Sequence, residues 1–341
     1  MNKKPTPTPL NWALIGCGGI GRAQVRWAAD TPDIRARAFC DIDEAAAQPQ
    51  SQSHADSYYT TDPGQIFQDP AIDIVSIATT HDTHKDLALA AFAAGKHVFL
   101  EKPMAMTSED CLAIIRAHKE AGTQLMLDFS IRFSQAAQQI KERLGPLKAS
   151  HVQCTQAAAD LNTWRWHPTL GGGPLYDVGV HALDLLCWQH DSAPVEVYAT
   201  GGQVTHSGQL GSADMIDTAA ATLRFADGAV ATFLMTDAGR NELLSKWFFE
   251  FFDGEHTAVL HEHFKTATFS KPDPTTGKLT SETLRLGESP RFQPLVDAIR
   301  HGAPLPAGPR EGFVAALLVE KITASIHSGQ VQTIDIPCEL F

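Results

Sequence analysis

Short apolar runs alternate with amphipathic stretches through the first third of the chain, and the alternation predicts its elements. Residues 11–15 read as a strand and residues 20–29 as a helix. Ile34–Cys40 carries apolar residues at every second position, the period of a strand. Residues 72–78 form an apolar run interrupted by Asp73 and Ser76, as expected of a strand covered on both faces. Residues 83–94 place Leu and Ala at helical spacing until Gly95 stops them. A strand over 97–100, a helix over Ser108–Ala121 and a strand over 124–127 follow. Repeated strand–helix alternation predicts a parallel sheet.

The pattern changes after Phe129. Gly171, Gly172 and Gly173 open a helix over residues 174–189. Candidate strands then cover 195–204, 215–225, 229–236, 246–252 and 256–260. Asp227-Gly228 and Asp253-Gly254 stand between them and favour hairpins. Residues 271–278 read as a surface loop, 312–327 as a late helix and 331–336 as a last strand. The chain is thus of the α/β class, with a first domain over residues 1–128 and a second, mainly antiparallel one over 129–341. The second has too few helices to cover both faces of an open sheet. A bare face carrying Phe233, Trp247, Phe249 and Phe251 predicts self-association as a homo-oligomer, dimer or tetramer.

Composition narrows the function. The 341 residues carry 27 Lys+Arg against 39 Asp+Glu, a net charge of −12 that provides no general field for a polyphosphate backbone and argues against nucleic acid as partner. No apolar run is long enough to span a bilayer, and the N-terminal residues 1–9 lack the apolar core of a secretion signal, so no membrane partner and a cytoplasmic location are expected. Cys17, Cys40, Cys111, Cys154, Cys187 and Cys338 lie far apart, with no zinc or redox spacing, and read as buried thiols. No metal is expected.

Gly16-Cys17-Gly18-Gly19-Ile20-Gly21 follows a predicted strand and opens a predicted helix. In that context Gly16 permits a tight turn, Gly18 lets the backbone approach a pyrophosphate, and Gly21 allows close packing of helix on strand. Gly19 and Ile20 bring the first helical amides towards negative charge. Asp41 ends the second strand, twenty residues after Gly21, where a carboxylate accepts from ribose hydroxyls. It would repel a 2′-phosphate, and the adjacent Ile42 supplies no cation, so the expected cofactor is NAD rather than NADP. Glu101-Lys102-Pro103 ends another parallel strand, on the side where open α/β sheets bind ligands. Asp177 and His181 are four apart and share a helix face that Asp184 and Trp188 continue. A carboxylate one turn from an imidazole can orient it; the same spacing also suits a plain ion pair.

Together these residues resemble the Gfo/Idh/MocA oxidoreductase family. The glycine turn, the run from Thr79 to His84, the Glu101-Lys102-Pro103 turn and the Gly171…Asp177…His181…Asp184 helix match in order, with Trp164-Arg165 just upstream. The resemblance implies an N-terminal Rossmann domain and a C-terminal α/β domain with a large, mainly antiparallel open sheet. It implies Lys102, Asp177 and His181 as the catalytic trio and a cis peptide before Pro103. It places Thr79, His81, His84, Glu101 and Lys102 at the cofactor. Arg132, Trp164, Arg165 and His167 are candidates on the substrate side, together with the trio. Thr80 and His81 stand where the family often has Pro and Asn, and Asp128 and Ser130 where it often has Gly and Asn.

The expected activity is hydride transfer between nicotinamide and a secondary alcohol or carbonyl of a sugar, polyol or similar small molecule. Either Lys102 or His181 can serve as the base. The alternatives are a redox-neutral lyase or glycosidase that retains NAD, and a dinucleotide-sensing regulator without catalysis.

Overall fold

The computed structural model of the protein describes residues 8–156, 160–212, 214–239 and 246–337. Cys338 and the start of the N-terminal segment lie outside them.

The first unit is built on strands β1 (Leu10–Ile15), β2 (Ile34–Cys40), β3 (Tyr58–Thr60), β4 (Ile74–Ile77), β5 (His97–Glu101) and β6 (Leu125–Asp128). Helices α1 (Gly19–Ala29), α2 (Glu44–Gln52), α3 (Pro63–Gln68), α4 (His84–Ala93) and α5 (Ser108–Ala121) lie between them in the chain. The strands are parallel and ordered β3-β2-β1-β4-β5-β6. The order reverses between β1 and β4, which creates a crevice beyond the carboxyl ends of those strands. The strands are buried because both faces are covered: Trp12, Phe39 and Phe99 are wholly inaccessible. The Trp12 indole N–H, which would be costly to bury unpaired, donates to Ser76 Oγ at 2.6 Å.

The chain returns to this unit late. Residues 290–309, which contain α8 (Gln293–His301), belong with it, whereas residues 106–108 belong with the second unit. Phe292 packs edge-on against Trp12 and Phe99, and Leu127 N donates to Ala307 O at 3.1 Å. A single boundary after Asp128 therefore divides the chain differently from its contacts, because the core of the first unit is completed by side chains about 160 residues further on.

The second unit contains a nine-stranded sheet. Its strands are β7 (Ala149–Thr155), β8 (Pro194–Gly202), β9 (Thr218–Phe225), β10 (Val230–Thr236), β11 (Trp247–Phe252), β12 (Thr257–His261), β13 (Thr266–Pro272), β14 (Leu279–Arg285) and β15 (Gln332–Thr333). The order is β14-β13-β12-β11-β7-β10-β9-β8-β15. All neighbours are antiparallel except β7 and β10. Helices α6 (Gln135–Arg143), α7 (Val180–Gln189) and α9 (Pro309–Ser328) complete the unit. The loop expected over 271–278 is shorter than expected: residues 271 and 272 pair in β13, and the chain turns before β14.

Phe233, Trp247, Phe249 and Phe251 do not form a bare face. They are 1%, 7%, 0% and 0% exposed within the single chain. A strand presents alternate residues to opposite faces, so choosing the wrong set inverts the sheet. β11 shows this directly: Trp247, Phe249 and Phe251 point to the core, while Phe248, Glu250 and Phe252 alternate with them on the partly exposed side. The buried set is met by the segment leading into α7, where a Cβ on Gly179 would sit 3.4 Å from the Phe233 ring.

Candidate functional site

The first unit brings its sequence-predicted residues to the carboxyl edge of the parallel sheet. Gly16 follows β1 with φ +95°, and a Cβ there would lie 2.4 Å from the Ala78 carbonyl oxygen. A Cβ on Gly21 would lie 1.9 Å from the Gly16 carbonyl oxygen, so helix α1 sits directly on the turn. Gly18 and Gly19 differ: a Cβ on either meets nothing within 4 Å. Their bareness serves no packing of the protein itself. It leaves open space beside the first amides of α1, as an approaching pyrophosphate requires. Arg22 folds back to donate to Cys17 O at 3.4 Å.

Asp41 is fixed by the backbone. Cys17 N donates to Oδ2 at 2.7 Å and Asp43 N to Oδ1 at 3.0 Å. Arg37, the nearest cation along this strand, is turned to the Asp56 carbonyl and the Asp69 carboxylate. Beyond β4, the Thr79 and Thr83 hydroxyls hydrogen-bond at 2.7 Å. His81 and His84 are buried with ring centroids 5.7 Å apart. His84 Nδ1 donates to the Pro103 carbonyl at 2.7 Å, and burial lowers the imidazole to about 4, so it is neutral near pH 7. The Lys102–Pro103 peptide is cis, as the resemblance implied. Lys102 is half-buried beside Glu101, whose Oε1 accepts from Gln24 Nε2 at 2.8 Å.

In the second unit, Trp164–Trp166 forms a single 3-10 turn. Gly173 N donates to Arg165 O at 2.9 Å, and a Cβ on Gly171 would lie 2.5 Å from Arg165 Cα. Glycines therefore let this turn lie directly against the start of the helix that carries Asp177 and His181. That helix is not regular from its beginning. Leu175–Gly179 forms a π turn ahead of α7, so the α-helical spacing expected between Asp177 and His181 is widened where it starts. Tyr176 Oη donates to Met106 O at 2.9 Å. The His181 ring is met edge-on by Phe129 and Trp247, at 6.3 and 6.1 Å between centroids.

Several substrate-side candidates have other work. Arg132 is buried, and it grips Asp184 through Nε and Nη2 at 2.8 Å each. Its guanidinium also lies 5.4 Å from the Trp188 ring centroid. Asp184 and Trp188 do continue the face of His181, but as the partners of Arg132. Arg165 lies 4.6 Å over the Trp164 ring, with Nε 3.4 Å from Asp177 Oδ2. His167 is exposed, with Nδ1 3.1 Å from Thr169 Oγ1.

Other polar groups were not singled out by the sequence. The inaccessible Asp217 accepts from the amides of Val204, Thr205 and His206. Asp237 pairs with His206 Nε2 at 2.6 Å. These bonds hold the loop after β8 against Trp166, whose ring meets His206 edge-on at 5.3 Å. Among the described residues no cluster suits a metal ion, and no helix is long and apolar enough to cross a membrane. The five described cysteines are free, and burial pushes Cys17, Cys40 and Cys187 up to about 12, away from thiolate chemistry.

Comparison with known proteins agrees with this layout. A family model described as oxidoreductase family, NAD-binding Rossmann fold (GFO_IDH_MocA) matches residues 10–129, and one for the GFO/IDH/MocA C-terminal domain matches residues 133–246. The chain is 31% identical over 238 residues to 1,5-anhydro-D-fructose reductase of Ensifer adhaerens, covering 65% of this chain and 68% of that protein. It is 27% identical over 219 residues to myo-inositol 2-dehydrogenase of Thermotoga maritima, covering 64% of this chain and 65% of that protein. D-glucoside 3-dehydrogenase of Escherichia coli K12 is 30% identical over 192 residues, covering 54% of this chain and 55% of that protein. The matches thus span between about half and two thirds of these relatives' lengths. In fold, levoglucosan dehydrogenase in complex with NADH and levoglucosan aligns with a TM-score of 0.86 at 23% identity, covering 97% of this chain and 100% of that one.

Proposed function

The chain belongs to the Gfo/Idh/MocA oxidoreductase family, and from its sites we infer an NAD-dependent dehydrogenase or reductase acting on a secondary alcohol or carbonyl of a sugar or polyol. The observation that carries this reading is the pair of bare glycines, Gly18 and Gly19, at the start of α1, with the Asp41 carboxylate held at the end of β2. That arrangement fits a dinucleotide: amides and open space for the pyrophosphate, and an acceptor for the ribose. The relatives' names, reductases and dehydrogenases of sugars and inositol, support the substrate class and favour neither the redox-neutral nor the regulatory alternative.

NAD, when bound, accepts a hydride from the substrate carbon or returns one to it. The protein's own part is binding, orientation and proton handling. Gly16, Gly18, Gly19, Ile20 and Gly21 present the phosphate-binding turn, and Asp41 selects NAD over NADP by repelling a 2′-phosphate. Thr79, His81, His84 and Glu101 shape the cofactor's edge of the sheet. In the oxidation direction His181 takes the hydroxyl proton as the carbon–hydrogen bond gives up its electron pair, and Asp177 stabilises the resulting imidazolium. Lys102 donates to the developing alkoxide. Exchange of roles between Lys102 and His181 gives the same balance. A cytoplasmic location and self-association complete the reading.

The test is a panel of sugars, polyols and their keto forms, followed by nicotinamide absorbance with NAD and NADP in parallel. Turnover with NAD on a polyhydroxylated substrate is expected; clear preference for NADP would overturn the role of Asp41. On the substrate so found, Lys102→Ala and His181→Ala should each lower kcat by about 10² to 10⁴ with little change in NAD affinity. Near-normal turnover in both variants would remove them from the mechanism.

A further inference from the structure

β5 and β6 end side by side, and the last residue of each is an acid. Glu101 stands opposite Asp128 in the register, and they are 5% and 2% exposed. In that register the two carboxyl groups meet, and Asp128 raises Glu101 through its charge and a side-chain hydrogen bond. An ionised carboxylate only accepts hydrogen bonds, so such a bond needs an O–H on one of the two. The neighbours are consistent with a single negative charge. Arg291 Nη1 donates to Asp128 Oδ1 at 2.7 Å, and its guanidinium lies 4.0 Å from the ring of Trp27 on α1. Gln24, also on α1, donates to Glu101. Arg291 pairs with Asp128, the charge of Lys102 pulls on Glu101, and Gln24 is neutral.

We propose that Glu101 and Asp128 share one proton and act together as a positioning pair for Lys102. The pair stands on its own geometry; its service to Lys102 rests on the oxidoreductase reading above. Burial, then the charge of Asp128, holds the Glu101 carboxyl well above the usual carboxylate range, against the pull of Lys102. The shared proton thus answers one acid and Arg291 answers the other. The strand end that Lys102 follows therefore carries no second buried negative charge. The pair also joins three parts of the first unit: α1 through Gln24, the Glu101–Lys102 backbone, and the returning segment through Arg291. The lysine is thereby held in register with the helix that the glycine turn opens.

Infrared spectroscopy of the full-length protein at neutral pH, with and without NAD, tests the shared proton through the C=O stretch of a protonated carboxylic acid. The band is expected in the wild type and should vanish in both Glu101→Gln and Asp128→Asn. Its absence from the wild type, or its survival in Asp128→Asn, overturns proton sharing. Kinetics test the positioning. Asp128→Ala should lower kcat roughly tenfold while KM for NAD stays within about twofold, the sign of an interaction needed in the transition state and not for binding. Asp128→Asn keeps an acceptor for Arg291 and a hydrogen bond to Glu101, and should recover most of the loss. Equal kcat for the Ala and Asn variants overturns the positioning role. The two readings fail separately: an inactive Lys102→Ala with no infrared band refutes only the pair, and an active Lys102→Ala with the band intact refutes only the service to Lys102.

Discussion

Single residues in the glycine turn separate packing from ligand binding. Gly21 has no room for a methyl group, since a Cβ would press on backbone at 1.9 Å. Gly18 has room, and its φ of −69° is open to any residue. Gly21→Ala should therefore destabilise the protein by about 3 kcal/mol, the scale of overpacking against rigid neighbours. Gly18→Ala should change stability by less than about 0.5 kcal/mol yet weaken NAD by roughly tenfold or more. Urea unfolding and NAD titration on the same samples check this; unchanged NAD affinity in a well-folded Gly18→Ala would show that no pyrophosphate approaches there. Residues of this kind were legible because their requirement is local: a turn, a strand end, a helix start. Arg132 was offered as a substrate-side candidate without its structural partner, because a lone arginine carries no mark of that partner. Asp184, 52 residues away, became visible only in the fold. Arg291 gave no signal for the same reason.

At the scale of elements, Ile34–Cys40 and Ser108–Ala121 were read to the residue, since each has a clear period and clean stops. β7 was missed because its apolar positions are thin: Val152 and Cys154 alternate with His151 and Gln153. β14 was missed because a polar, largely exposed strand has no apolar stripe to read, and β13 because its stripe is no more than Ala267 and Phe269. The turn after β5 is fixed by another element, through the hydrogen bond from His84, at the start of α4, to Pro103. This predicts a pH dependence. Burial lowers His84 to about 4 in the folded chain, against 6.5 for an ordinary histidine. The unfolded chain therefore binds a proton that the folded chain refuses as pH falls from about 6.5 towards 4. Stability from this neutral imidazole is fully present above that window and lost through it, on the order of 3 kcal/mol. Unfolding free energies at pH 7 and pH 4.5 should differ less in His84→Asn than in the wild type. Equal pH dependence in the two would show that His84 is not the group concerned. His190, which burial also lowers to about 4, stays in both proteins and cancels in the comparison.

For the molecule as a whole, self-association must be argued from a different set of residues than the sequence suggested. The aromatic residues first chosen are spent within the chain. The opposite face of the large sheet is what remains: Tyr198 at 44% and Val230 at 51% exposure, with Leu234, Phe248, Phe252 and Val259 half-buried around them. No helix of the unit need cover that face for the core to close, because the inward set already does so. A sheet face with this much apolar surface and few charges is suited to a like face on a second copy, and two-fold pairing needs no other surface. The expected state at micromolar concentration is therefore a dimer or a tetramer built from dimers. A charge placed in the middle of the face should dissociate it while leaving the core untouched. Leu234→Glu is suited to this, since Phe233 and Met235 on either side of it point inward. Sedimentation should then show a folded species of lower mass, with the circular dichroism of the wild type. A monomeric wild type, or a Leu234→Glu variant of unchanged mass, would mean that this face is not the interface.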